Sequence, residues 1–283
     1  MQDFTFHMHT NEFDGDHSVL EMVQRARELG FKHIGISNHF IVHPKIKEIG
    51  SFYAYAVQHG YCANYNSSFE DCLEMFHRNY AEIDRVSKEL DFPIYKGMEV
   101  DFFEYDGWRE GFDAARDELK PDYLIGAAHF VEYDGWLLNN YSMGCAPKDQ
   151  QDDILHLYWR NIRSAIKSGL FDFMAHLDLP KKAGLLKEEK WVAEEEKTLQ
   201  CLAENNMKIE INTGLYKPEC YEPYPSPRIL RKAADYGIKV FISDDSHHIN
   251  HIGRHFDEAL ALAKECGLEK NIITDYREII KQY

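Results

Sequence analysis

Two histidines separated by one residue, His7-Met8-His9, lie early in the chain, and Asp245-Ser246-His247 repeats that spacing far downstream. On an extended segment, residues i and i+2 face the same side. Each pair can therefore share one cation, at the distance of about 2.0–2.2 Å that an imidazole nitrogen or carboxylate prefers. Between them, short apolar runs deliver further metal-capable side chains in order: His33–Ser37 leads to His39, Phe92–Met98 to Glu99, Tyr123–Ala128 to His129, and Phe171–Ala175 to His176. A lone histidine after a strand is usually a hydrogen-bonded loop residue, and one H-x-H is as readily a polar strand face. Six of seven such runs ending in a metal-capable group is a different matter, and points to a polynuclear cation site. Cations about 3.5–4 Å apart that share a carboxylate lower the pKa of a bridging water and stabilise both attacking and leaving oxygens. The chemistry would be hydrolysis with hydroxide as the nucleophile, and no motif for a covalent intermediate is present.

The elements that must position these residues follow one theme: an apolar strand, a polar residue, a helix. The seven strand candidates are Asp3–Phe6, His33–Ser37, Phe92–Met98, Tyr123–Ala128, Phe171–Ala175, Met207–Ile211 and Lys239–Ser243. Helical periodicity covers Ser18–Leu29, with Leu20, Val23 and Ala26 on one face and Gly30 as its stop, then Phe69–Leu90, Asp152–Ser168, Lys190–Asn205 and Ser226–Gly237. Apolar, non-alternating strands between helices imply a parallel sheet, and seven such units without a Pro/Gly/Ser-rich linker suggest one α/β barrel domain spanning residues 1–283. In such barrels the reacting groups come from the C-terminal ends of the strands. An insert at about 43–68 carries Tyr53, Tyr55, Tyr61 and Tyr65, which suit a lid or loop packing equally. Glu-Tyr-Asp-Gly-Trp occurs at 104–108 and again at 132–136, each with an Asp-Gly turn signal.

Composition narrows the partners. A formal charge of −16 argues against tracking a nucleic-acid backbone, though cations can invert the local potential for a small anion. No run approaches the roughly 20 apolar residues of a membrane helix. The N-terminus shows no basic-then-apolar signal pattern, and the 6 cysteines are scattered without a C-x-x-C pair. A cytoplasmic location is expected. Oligomeric state is not legible.

The ordered motifs His7-Met8-His9-Thr10, Ser37-Asn38-His39, Gly97-Met98-Glu99, Ala128-His129, Ala175-His176 and Ser243-Asp244-Asp245-Ser246-His247 resemble the PHP (polymerase and histidinol phosphatase) family from residue 7 to residue 247. The resemblance implies a distorted (β/α)7 TIM-like barrel with a trinuclear metal site at the strands' C-terminal ends. On that pattern His7, His9, Glu99 and Asp245 hold the first metal and its bridging hydroxide. Glu99 reaches the second, completed by His129 and His176, and the third takes Asp14, His39 and His247. Asp16 and His17 compete with Asp14, and Asp244 with Asp245, although only Asp245 keeps the D-x-H spacing. Two or three divalent ions are implied, and imidazole with carboxylate accepts Zn, Fe or Mn.

The stretches Ile209–Leu215, Glu222–Ser226 and Phe171–Asp178 resemble the histidinol phosphate phosphatase branch, implying hydrolysis of L-histidinol phosphate in histidine biosynthesis. One departure stands out: that branch usually has a basic residue after Gly-Leu, and here Tyr216 holds the position, with Lys217 next. Lys217, Arg160 and Arg254 are the candidate substrate contacts, whereas Arg163 reads as helix-surface charge. His248, His251 and His255 read as solvent-facing residues rather than outer supports of the site. Another small phosphate monoester, such as a nucleotide or sugar phosphate, is the nearest alternative substrate. A non-catalytic metal-binding module is the alternative of a different class.

Overall fold

A computed structural model describes residues 2–49, 65–186, 189–214 and 222–280. The insert tyrosines Tyr53, Tyr55 and Tyr61, and the pair Tyr216 and Lys217, lie outside the described residues. Tyr65 is buried. The chain divides into two compact units: residues 1–125, 244–254 and 280–283, and residues 126–243 and 255–279.

In the first unit, strands β1 (Phe4–Thr5), β2 (His33–Ile36) and β4 (Ile94–Asp101) pair in parallel, with Phe4 opposite His33 and Ile34 opposite Ile94. A short strand β3 (His39–Phe40) runs parallel to β4, setting His39 directly opposite Glu99. The helices are α1 (Val19–Glu28), α2 (Phe69–Leu90) and α3 (Trp108–Leu119). Ser18 caps α1 in a reciprocal box with Glu21, and Ser68 caps α2, each satisfying amide groups that the first turn leaves without partners. Their buried faces follow helical periodicity, Met22, Val23 and Ala26 in one, Phe76, Tyr80 and Ile83 in the other. The strands close on Tyr123, whose hydroxyl donates to the Phe6 carbonyl at 2.7 Å. A Cβ at Gly35 would meet the Tyr123 hydroxyl oxygen at 2.3 Å and one at Gly97 the ring itself at 2.2 Å, so both positions require glycine for close approach.

Strand β5 (Tyr123–Ala127) begins in the first unit and ends in the second. There β8 (Phe173–Met174), β9 (Lys208–Asn212) and β10 (Val240–Ser243) are again parallel, with Met174 opposite Ile209 and Ser243 opposite Asn212. Their helices are α4 (Asn140–Cys145), α5 (Lys148–Lys167), α6 (Val192–Glu204), α7 (Pro227–Asp235) and α8 (Phe256–Glu265). Phe173 and Phe241 meet edge to face at 4.7 Å in the core.

The expected strands are all present, with shifted ends. β4 runs on through Glu99, so that residue lies within a strand rather than after one. An antiparallel hairpin, β6 (Phe130–Tyr133) and β7 (Trp136–Asn139), follows His129 and had no counterpart in the sequence pattern. The repeated pentapeptide has two fates. Asp134-Gly135 is the hairpin turn, both residues at positive φ as such turns require. Asp106-Gly107 instead leads into α3, with Gly107 at φ +87 as its N-cap.

Candidate metal centre

The first unit gathers seven of the nine expected ligands. The segment carrying His7 and His9 bridges to Ser246: the His9 amide donates to the Ser246 carbonyl at 2.9 Å, and the Ser246 amide returns to the His7 carbonyl at 3.2 Å. This pairing turns both imidazoles toward Asp245. Its Oδ1 lies 3.4 Å from His7 Nε2 and 3.2 Å from His9 Nε2. Glu99, fully buried on β4, approaches the same rings at 3.4 and 3.6 Å, and reaches His39 Nδ1 at 2.7 Å. Asp245 holds φ +49, a conformation that non-glycine residues adopt at a cost and retain where surrounding structure enforces it.

A second group adjoins the first. Asp14 Oδ2 is 3.2 Å from both His39 Nε2 and His247 Nε2, and Asp14 Oδ1 is 3.6 Å from His9 Nδ1. The loop that presents Asp14 is tight. The Gly15 amide donates to the Thr10 carbonyl at 3.0 Å, and any Cβ at Gly15 would collide with the His9 carbonyl at 2.6 Å. Asp16, one residue past that turn, is exposed, and His17 turns to Glu21 and the His248 ring. Geometry therefore favours Asp14 among the three. Asp244 likewise faces away from the cluster: it accepts from the Gly253 amide at 2.5 Å and from the Thr5 hydroxyl at 3.4 Å, and burial pushes its carboxyl up to about 6.

Ligand atoms of His9, Asp14, His39 and His247 lie within 4.8 Å of one another, as do those of His7, His9 and Glu99. The donor set suits divalent cations by a structural test. Both ring nitrogens of His9 and Asp14 Oδ1 are buried without a hydrogen bond, an arrangement that is unfavourable unless something else binds there. Charge agrees. Burial, with His247 and His39 nearby, lowers His9 to about 4, leaving it a neutral donor at pH 7. Burial alone would raise Asp14 and Asp245; the histidines around them outweigh it and hold both carboxyls well below their ordinary range. The converse holds for His39 and His247, where burial is outweighed by Asp14 together with Glu99 or Asp245, and both imidazoles are raised.

Two supporting residues carried no role in the sequence reading. Asn38 accepts from the Thr10 amide at 2.8 Å and donates to its hydroxyl at 3.0 Å. Asn79 on α2 donates to Glu12 and, at 3.5 Å, to Thr10. The signal for Asn79 was in the sequence: an amide standing in the apolar stripe of α2, between Phe76 and Ile83.

In the second unit, His129 and His176 stand edge to face with ring centroids 4.9 Å apart, His176 buried and His129 partly exposed. Tyr158 of α5 donates to the carbonyl of Leu177 at 3.0 Å, fixing the turn that follows His176. The candidate substrate contacts fare differently. Arg160 is an exposed residue of α5. Arg163 is partly buried and pairs with Glu194 at 2.8 Å and Thr198 at 3.1 Å, both buried on α6, so it ties two helices together rather than standing as the free surface charge expected. Arg254, in the first unit, is partly buried and within electrostatic reach of Asp245 and Asp244. His248, His251 and His255 are partly exposed and join no cation-holding group among the described residues.

The PHP domain model matches residues 5–214. The chain belongs to the PHP domain family. Among curated proteins it is 28% identical to the probable histidinol-phosphatase of Deinococcus radiodurans, over 72% of this chain and 77% of that one. It is 25% identical to the probable histidinol-phosphatase of Thermotoga maritima, over 93% of this chain and 92% of that one. Among solved structures, the histidinol phosphate phosphatase of Lactococcus lactis, complexed with zinc, L-histidinol and phosphate, matches with a TM-score of 0.71 and 16% identity, over 94% of each chain. At that identity the likeness is one of fold, and the fold is the α/β barrel of parallel strands that the sequence implied.

Proposed function

We propose that this chain is a metal-dependent phosphatase of small phosphate monoesters, with L-histidinol phosphate as its substrate and L-histidinol and phosphate as products. The observation that carries the proposal is the constellation of His7, His9, Asp14, His39, Glu99, Asp245 and His247, linked pair by pair at 2.7–3.7 Å and largely withdrawn from water. The histidinol-phosphatase relatives supply the substrate class.

In this reading residues 1–283 act as one catalytic domain in the cytoplasm. His7, His9, Glu99 and Asp245 would hold one divalent ion and Asp14, His39 and His247 another; on the family pattern Glu99, His129 and His176 would hold a further one. Zn, Fe and Mn all suit such donors. Bound cations supply a water of lowered pKa and neutralise phosphoryl charge. The chain's own residues do the rest. The ionised Asp14 and Asp245 set a local negative charge that only a cation-bound site converts into one attractive to phosphate. The guanidinium of Arg254, beside Asp245, is the residue in the first unit suited to take the phosphoryl oxygens in a bidentate contact. Arg160 and Lys217 are the remaining candidates for the substrate. The Tyr216 departure leaves a different monoester as the competing reading. A panel of phosphate esters ranks the two: kcat/KM for L-histidinol phosphate is expected to exceed that for nucleotide and sugar monophosphates by at least about 100-fold, the discrimination of about 3 kcal/mol that a fitted pocket supplies. A nucleotide or sugar phosphate at the head of the ranking would replace the substrate assignment.

A further inference from the structure

Within the second unit, three parallel strands end on one buried carboxylate. Glu210 lies in β9 and is fully withdrawn from solvent. Its Oε1 accepts the backbone amide of His176, just beyond β8, at 3.0 Å, and the side-chain amide of Asn212 at 2.8 Å. Its Oε2 accepts the hydroxyl of Ser243, the last residue of β10, at 2.5 Å. Asn212 in turn accepts the Gly214 amide at 2.7 Å, and Thr213 returns two bonds to the Ser243 carbonyl at 2.9 and 3.2 Å.

A parallel ladder alone does not fix these ends. β8 is only two residues long and pairs with β9 through Phe173 and Met174, so the ladder stops before His176. What continues the pairing past Met174 on that side is the Glu210 side chain, which takes the amide that a longer strand would have given to a neighbouring carbonyl. A buried carboxylate is retained only where several donors satisfy it, and here those donors come from His176, Asn212 and Ser243. Residues that orient a ligand are typically worth 10–100-fold in metal affinity.

We infer that Glu210 is a positioning residue: by holding the His176 amide, the Asn212 side chain and the Ser243 hydroxyl on one carboxylate, it sets the direction in which His176 presents its imidazole. This rests on the proposed role of His176 as a metal ligand. Glu210 acts through hydrogen bonds rather than through its charge, which separates two substitutions. Glu210→Gln keeps an oxygen for the His176 and Asn212 donors and a polar amide for Ser243. Glu210→Leu keeps the volume and loses every bond.

The test measures zinc content and affinity of the purified full chain, by elemental analysis after dialysis against a graded chelator. Zinc binding by the wild type and its loss in His176→Ala test the ligand role itself, independently of Glu210. Given that result, Glu210→Leu is expected to weaken the most weakly held zinc by 10–100-fold, and Glu210→Gln to restore it to within about threefold. The double variant Glu210→Leu/His176→Ala is expected to bind zinc no more weakly than His176→Ala alone. Ser243→Ala, which removes one donor without opening a large cavity, is expected to give a smaller loss of the same zinc and serves if Glu210→Leu does not fold. Wild-type zinc affinity in folded Glu210→Leu, or in Ser243→Ala where Glu210→Leu does not fold, would overturn the inference. So would a Glu210→Gln variant as impaired as Glu210→Leu, or additive losses in the double variant.

Discussion

Asp14 and Asp16 are chemically equivalent and two positions apart, yet a turn closed by Gly15 sends one carboxylate between His39 and His247 and leaves the other in solvent. Asp14→Ala is therefore expected to lower kcat/KM by about 10²–10³-fold, the several kcal/mol of charge stabilisation a bound cation contributes, while Asp16→Ala stays within about twofold. Steady-state kinetics on the two variants checks it; equal losses would mean the turn is misjudged. Charge at the same site predicts proton release. In the metal-free protein Asp14 and Glu99, against the opposing effect of burial, hold His39 well above its ordinary value and favour its protonated form. A cation needs that imidazole neutral. Metal binding should therefore release protons at neutral pH, and metal affinity should fall as pH falls. Calorimetry in buffers of different ionisation enthalpy reads the proton count directly, and a buffer-independent heat would contradict this assignment.

At the scale of elements, Tyr123 joins β5 to the strands that carry the ligands, its ring filling the space left by Gly35 and Gly97. Gly35→Ala or Gly97→Ala must displace that ring and strain its bond to the Phe6 carbonyl, and is expected to destabilise the chain by about 1–3 kcal/mol, the usual range for overpacking. Urea unfolding midpoints test this, with Tyr123→Phe/Gly97→Ala no better than Gly97→Ala alone if the ring rather than the hydroxyl is the obstacle. Most elements were legible in the sequence because parallel strands are uninterrupted apolar runs and the longer helices keep an apolar face, with serine caps opening α1 and α2. The hairpin at 130–139 was not. Its Asp-Gly turn was visible, but the strand reading stopped at Ala128, and nothing local marks that the chain beyond His129 pairs back on itself. β3 was missed for another reason: two residues have no periodicity, and only the pairing of His39 with Glu99 defines them. Asp14 was proposed only by register, since both acids fit the motif and the choice is made by the Gly15 approach to His9.

For the whole molecule, the candidate ligands from β1's exit, β3, β4 and the 244–254 segment come together only in the folded chain, so cation binding at this site would be linked to folding. A cation present at about 100 times its dissociation constant stabilises by about 2.7 kcal/mol. Chelation should lower the melting temperature by several degrees, and Glu99→Ala should lose most of that sensitivity. Scanning calorimetry with and without chelator measures it. The central claim, that these buried histidines and acids hold the ions that hydrolyse a phosphate monoester, is tested most directly by phosphate release from L-histidinol phosphate. The same preparation should be assayed as purified, after chelation, and after return of Zn, Fe or Mn, with Glu99→Ala alongside. The expected result is turnover that chelation abolishes, that a divalent ion restores, and that Glu99→Ala reduces by about 10³-fold or more. Turnover that survives full chelation, or persists undiminished in Glu99→Ala, would contradict it.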